Sequence, residues 1–437
     1  MHDFGIVWLV EQKQNSERVK PRGLTALLVA QFMGAANDNI LKTLLGFSVV
    51  RGMWEGKLGE GGQGLIALCL FVPFILFSGW AGPLADRYSK RSISVLMKWI
   101  EIPLAIAAGI GFITGTFWLA TIAMFLLATQ STFFSPAKYG MIPEIVLEAN
   151  VSRANGILNM TTNISIIVGM LIAGFVSDQL QQNSGSLLQK WLPGIVLTSV
   201  AMIGLCAIVW LPKLKPMDAN TTLPFNPFLT YIKTGGAMCK TPLMKIAIAW
   251  AIFYLLATIV LLLVTELGVL LQVLDSQISY LLASIAISLG IGSLLAGFLS
   301  RGEIRLSLSK LATLGMVVSM TVAAISPVSY WIILVCLIVL GLSAGLYAVP
   351  LQSLIQMMPP ATFRGRVLST SNALSFLFMA LGSLLYWVLR PLFGDSPQWI
   401  FLGCAGIGLL AFFVTLNIHI NPLLNDTISQ DEKYFLP

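Results

Sequence analysis

In the stretch Gln31–Leu45, QFMGAANDNILKTLL, a carboxylate and an ammonium stand one helical turn apart inside an apolar run. Asp38 and Lys42 are spaced i,i+4, in the order that favours an ion pair on one helix face. Asn37, Asn39 and Gln31 add polar groups beside them. As a helix, the run from Leu24 to Val50 would be about 40 Å long, with Asp38 near its midpoint. Each charge at a bilayer centre costs roughly 2.5–3.5 kcal/mol on insertion scales. Two readings follow. The pair neutralises itself and ties its helix to a neighbour, or the polar cluster faces a central cavity and marks a pathway.

Other polar groups interrupt apolar runs. Lys138 and Tyr139 lie in FFSPAKYGMIPEI (133–145), where Pro136 is read as closing the fourth helix. That reading puts Lys138 at a membrane edge, either to hold an anion or as an ordinary flanking charge. Asn159, Thr162 and Asn163 either line a cavity or bond between helices. Glu101 is three residues from Lys98, a spacing that suggests a structural ion pair. Glu266, with Asp275 following, is expected near the outer surface, as an exposed carboxylate at a helix end or as an attraction for cations at an entrance. The loop GPLADRYSKR (82–91) combines Gly82, Asp86, Arg87, Lys90 and Arg91. A glycine permits close helix approach, and an aspartate suits a facing helix N-terminus. The alternative is that these cations simply flank the membrane on its basic side.

These residues sit in a chain of 437 amino acids that is 57% hydrophobic and only 10% charged, against about 25% charge in soluble domains. Such a chain is polytopic in a membrane. Twelve apolar runs reach the length of about 20 residues that a bilayer requires: 24–50, 63–85, 93–113, 116–136, 155–179, 190–211, 243–270, 277–299, 307–326, 329–352, 367–389 and 397–420. The chain therefore divides into an N-terminal segment 1–23, a six-helix half 24–211, a proline-rich linker 212–242, a second half 243–420 and a tail 421–437. Within 1–23, MHDFGIVWLVEQKQ has the pattern of a short surface helix. With both termini in the cytoplasm, only Arg51, Lys57, Lys190 and Arg390 of the 26 Lys and Arg fall outside, and Lys42 within the membrane. The excess of basic residues is thus a topology signal, not a mark of nucleic-acid binding. The two histidines, His2 and His419, are at opposite ends, and the five cysteines show no CxxC spacing. No metal or cofactor is expected, and no nucleophile–base arrangement points to an enzyme.

The two halves echo each other. Gly82 corresponds to Gly297, Pro136 to Pro350, Arg153 to Arg366 and Asn159 to Asn372. Two parallel six-helix repeats resemble the major facilitator superfamily, whose substrate site lies between such halves. GPLADRYSKR resembles that superfamily's loop between the second and third helices, which implies a gate formed by Gly82, Asp86, Arg87, Lys90 and Arg91 with Arg366 of the eleventh helix. The second copy, GFLSRGEIR (297–305), is degenerate, with Arg301 where an aspartate would stand.

A narrower resemblance rests on QFMGAANDNILKTLL, FFSPAKYGMIPEI, RANGILNM (153–160) and GIGSLLAGFLS (290–300). Together they are similar to the bacterial lysophospholipid transporters, and most to the branch fused to an acyltransferase and an acyl-carrier-protein synthetase. The resemblance implies movement of lysophospholipids, such as lysophosphatidylethanolamine, from the outer to the inner leaflet of the cytoplasmic membrane. It implies a headgroup site at Asp38 and Lys42, with Asn37, Asn39, Gln31, Asn159, Lys138 and Glu266 contributing, and a lateral opening at Gly290, Gly292 and Gly297. Acyltransferase His-x4-Asp is missing, since Val7 follows His2 and Leu424 follows His419 at that spacing. Reacylation is expected from a separate partner. The rival expectation is a proton-coupled exporter of drugs or metabolites that uses Asp38. Against it, the fourth run has no embedded Arg and the fifth no Gly-Pro.

Overall fold

A computed structural model describes residues 21–53, 58, 60–147, 151–182, 187–214, 216, 226, 228–300, 304–359 and 364–418. The expected N-terminal surface helix and the tail lie outside them, as do Arg301, His2 and His419. The side chains of Asp86 and Arg153 are also outside the description.

The described residues are helical nearly throughout, in the order α1 (Pro21–Val50), α2 (Gln63–Arg87), α3 (Lys90–Thr114), α4 (Phe117–Ile145), α5 (Val151–Gln182), α6 (Leu187–Val209), α7 (Phe228–Cys239), α8 (Leu243–Leu271), α9 (Asp275–Ser300), α10 (Leu306–Ile325), α11 (Tyr330–Met357), α12 (Arg364–Leu389) and α13 (Ile400–Leu416). Helices are what lipid permits, because each backbone amide finds its partner within its own segment. Among the described residues, eleven helices are long and apolar enough to cross a membrane. The helix α1, with 30 residues, has the length, and Asn37, Asp38, Asn39 and Lys42 interrupt its apolar run. With α1 the spans number twelve, and α7 stands apart as a short helix.

Two expectations change. Pro136 does not end α4, which runs on through Pro136 and Pro143 to Ile145. A proline removes one backbone donor, and neighbouring helices re-satisfy the freed carbonyl. Lys138 therefore lies two turns inside a span, not in an edge loop. The stretch 212–242 is more than a linker, because it contains α7, whose Phe228, Leu229 and Ile232 supply an apolar stripe.

Contacts divide the chain into two compact units: the described residues of Met1–Leu41, Leu76–Ile172 and Gln182–Phe225, and those of Lys42–Ile75, Ala173–Gln181 and Asn226–Pro437. The division cuts across α1, α2 and α5. In the first unit, Leu27, Ala30, Phe134, Ile142, Leu158 and Leu205 form a buried core of α1, α4, α5 and α6. At the crossing of α3 and α6, Gly109 meets Gly194 backbone to backbone. In the second unit, Gly292 of α9 lies against the Leu342 backbone of α11, and Gly345 of α11 against Leu289 and Ser293. Lipid supplies no hydrophobic drive between helices, so small residues that allow close approach carry the packing. Gly292 is thus a packing residue and does not form a lateral opening, whereas Gly290 and Gly297 face open space.

Candidate functional site

The polar cluster of the first unit is assembled from α1, α4 and α5. Ser131 Oγ donates to Asp38 Oδ2 at 2.6 Å. Lys138 Nζ donates to Gln31 Oε1 at 3.1 Å, and Gln31 Nε2 donates to Thr162 Oγ1 at 3.0 Å. Lys138 Nζ also lies 5.0 Å from the centre of the Tyr139 ring, whose hydroxyl donates to Asn159 Oδ1 at 3.3 Å. Asp38 and Lys138 are half-buried, while Tyr139 and Asn159 are exposed. An anion acceptor and a cation donor are thus held by neutral partners, Ser131 and Gln31, which a ligand can replace at little cost. A ligand carrying both signs of charge fits that chemistry.

Behind this layer lies a second pair. Lys98 Nζ meets Glu101 Oε2 at 2.6 Å, both side chains 1% exposed, and Asn37 Nδ2 donates to Glu101 Oε1 at 2.9 Å. The spacing of Lys98 and Glu101 predicts this pair, and it is present. Asn37, expected among the binding residues, is fully buried and donates to Glu101, so it braces the cluster from behind. Asn39 Nδ2 donates to the Ala35 carbonyl one turn back. Lys42 is half-buried on the next turn of α1, within the second unit.

The 82–91 loop is tied down inside the first unit. Lys90 Nζ meets Glu144 Oε1 at 2.5 Å. Arg91 donates to the Leu211 carbonyl at 2.7 Å and the Val209 carbonyl at 3.0 Å, and Ser89 Oγ to the Leu214 carbonyl at 2.7 Å. The last carbonyls of α6 have no helical partner and carry the negative end of its dipole, so a guanidinium there satisfies both needs. Gly82 does not mediate the close approach expected of it; the space beside it is open. Arg87 stacks over Tyr88 at 5.7 Å.

The second unit holds two more junctions. Arg51 at the end of α1 pairs with Asp275 at 2.8 Å. Ser177 and Gln181 of α5 donate to the other oxygen of Asp275, at 2.7 and 2.6 Å. Asp178 accepts the backbone N–H of Asp275 at 2.8 Å and that of Ser276 at 3.2 Å, capping α9 from another helix. In the other junction, Arg390 donates to Glu266 Oε1 at 2.5 Å and to Glu60 Oε2 at 3.0 Å. Gln63 donates to Glu266 Oε2 at 3.0 Å, and Tyr386 also donates to it. Glu266 is therefore not the exposed or entrance carboxylate expected. Its side chain is 12% exposed and takes donors from α2, from α12 and from Arg390 just beyond α12.

The sequence reading missed Ser131 and these two junctions. A signal for the junctions existed. Arg51 and Arg390 are two of the four basic residues that break the charge rule, and each is held by a carboxylate. Ser131 left no signal, since a serine on an apolar helix usually bonds its own backbone.

Residues 24–383 match the Major Facilitator Superfamily. The chain is 24% identical over 347 residues to the lysophospholipid transporter LplT of Photorhabdus laumondii, spanning 77% of this chain and 80% of that one. It is likewise 24% identical over 352 residues to LplT of Yersinia enterocolitica, spanning 77% and 79%. Its fold is similar to that of the xylose transporter XylE from E. coli, with a TM-score of 0.68, 13% identity, and 93% and 98% of the two chains covered. For the nucleoside transporter NupG the TM-score is 0.66 at 15% identity, covering 91% and 100%.

Proposed function

Because the chain belongs to the major facilitator superfamily, and so is a membrane transporter and not an enzyme, we propose that it moves lysophospholipids from the outer to the inner leaflet of a bacterial cytoplasmic membrane by alternating access. The observation that carries this reading is that α1 and α4 hold a carboxylate, Asp38, and an ammonium, Lys138, on neutral partners, Ser131 and Gln31, in a chain whose relatives are named for lysophospholipid transport. A zwitterionic headgroup such as phosphoethanolamine carries a phosphate and an ammonium. Lys138 exchanges the Gln31 carbonyl for a phosphate oxygen, and Asp38 exchanges the Ser131 hydroxyl for the ammonium. Gln31, released, keeps its Nε2–H donation to Thr162, and its freed Oε1 takes a donor from the ligand; Ser131, released, keeps Gln130 Oε1 at 3.3 Å. Asn159 and Tyr139 present further polar atoms at the exposed end. The acyl chain stays against apolar helix faces.

The glycerol moiety reaches the cytoplasmic side, where a separate acyltransferase restores the second chain and keeps the lysolipid concentration low. Flow down that gradient needs no ion coupling. Both termini are cytoplasmic in this reading. Gating belongs to the 82–91 loop, with Gly82, Asp86, Arg87, Lys90 and Arg91, and to Arg366. Asn39 lies beside the site on α1, and Asn37 supports it from behind through Glu101.

Uptake of labelled lysophosphatidylethanolamine into proteoliposomes of the purified protein, without an imposed proton gradient, tests the reading. Asp38→Asn and Lys138→Ala each abolish uptake while the protein still inserts and folds. If the wild type takes up no lysolipid and a proton gradient instead drives some other solute, the chain is a proton-coupled exporter. If both variants transport normally, the headgroup site lies elsewhere.

A further inference from the structure

The short helix α7, Phe228–Cys239, has a face that no other described segment covers. It packs against α8 and α12, with Thr234 and Met238 buried there. At about 100° per residue, Phe228, Cys239 and Ile232 fall within some 40° of arc on the other side, with Leu229 next to them. Phe228 is 38% exposed, Leu229 48% and Ile232 68%. Lys240 and Lys233, both exposed, border the apolar stripe along one edge. The helix contains no acidic residue.

Only three residues, Lys240, Thr241 and Pro242, separate α7 from α8, one of the eleven apolar helices. This tether holds α7 at the end of a membrane span. A helix of 12 residues is marginal in water on its own. Half of this one is stabilised by packing on α8 and α12, and the other half presents aromatic and aliphatic side chains. An apolar stripe edged by lysines is the pattern of a helix lying in a lipid interface, and lysines at that level attract anionic headgroups. A protein partner would be matched by mixed charge or a closed groove; here the charge has one sign and the stripe is flat.

We infer that α7 is an interfacial anchor: its Phe228–Ile232–Cys239 face seats between the acyl chains and headgroups of the adjacent leaflet, and Lys233 and Lys240 bind anionic phospholipid there. This rests on the membrane-spanning architecture and not on the substrate.

Cys239 lies on the seated face and gives a native reporter. Of the other cysteines, Cys206 is exposed, Cys69 is partly so, and Cys336 and Cys404 are buried. The full-length protein with Cys69→Ala and Cys206→Ser is labelled at Cys239 with an environment-sensitive dye. It is reconstituted in vesicles of phosphatidylcholine with or without phosphatidylglycerol. The expected result is strong quenching by lipids spin-labelled near the headgroup and several-fold protection from aqueous iodide. Phosphatidylglycerol deepens that protection, and Lys233→Glu with Lys240→Glu removes the deepening. Ile232→Cys in a Cys239→Ser background reports the same, which excludes an effect of the label's own position. Iodide quenching equal to that of free dye overturns the inference, because the face is then in water. Protection from both quenchers also overturns it, because protein then covers the face. Indifference to phosphatidylglycerol overturns the role of the lysines.

Discussion

Replacing Lys98 by methionine isolates the energetic role of the deepest ion pair. The substitution keeps a long apolar stem, so the space is filled and only the charge is lost. Glu101 then keeps the donation from Asn37 Nδ2 at 2.9 Å but has lost its cation, in a site where both members of the pair are 1% exposed. Leaving one partner of a buried pair uncompensated costs about 3–5 kcal/mol. At about 1.4 kcal/mol per tenfold, the folding equilibrium falls by a factor between about a hundred and a few thousand. Adding Glu101→Gln removes the stranded charge and keeps an oxygen for Asn37, so Lys98→Met/Glu101→Gln is more stable than Lys98→Met alone. Reversible unfolding of the purified protein in mixed micelles, followed by tryptophan fluorescence, measures both. Screening reaches buried charges weakly, so the loss persists at high salt. If Lys98→Met is as stable as the wild type, or the second substitution adds a further loss, the reasoning from burial and pairing fails.

The two junctions and the glycine packing give further tests on the same unfolding assay. Asp178→Ala removes the acceptor for the first amides of α9 and costs about 1 kcal/mol, the usual loss for a helix cap. Arg390→Leu leaves Glu266 with Gln63 and Tyr386 but no cation; it costs about 3–5 kcal/mol, much of which Glu266→Gln in the same chain recovers. Gly292→Leu drives a side chain into the Leu342 backbone and lowers the yield of folded protein, whereas Gly290→Leu, two residues away with open space beside it, leaves the yield unchanged. Equal yields would mean that α9 and α11 do not rely on that close approach.

Some of the site could be read before any coordinates. The Lys98–Glu101 pair was legible because its members are three residues apart on one helix, and Asp38 stood out because a carboxylate at mid-membrane is costly. The Asp38–Lys42 spacing pointed to a partner on α1 itself. The structure adds Ser131, 93 positions along the chain, as the group bonded to Asp38, and Lys138, 107 positions from Gln31, as the cation bonded to α1. In the sequence, Pro136 reads as a stop, which puts Lys138 at an edge. A proline ends a helix in water, but among packed helices in lipid the chain continues through it. Glu266 reads as open because its helix end suggests exposure; the donors that enclose it come from Gln63, Tyr386 and Arg390, 203, 120 and 124 positions away.

Sequence alone determined that this is a helical, polytopic membrane protein with polar groups misplaced for lipid, because helix formation and hydropathy are local properties of about 20 residues. The tertiary structure decided which groups meet those charges. Arg51 and Asp275 are 224 positions apart, and no local period encodes a pairing across that distance. Only the packing of the helices brings such side chains within hydrogen-bond reach.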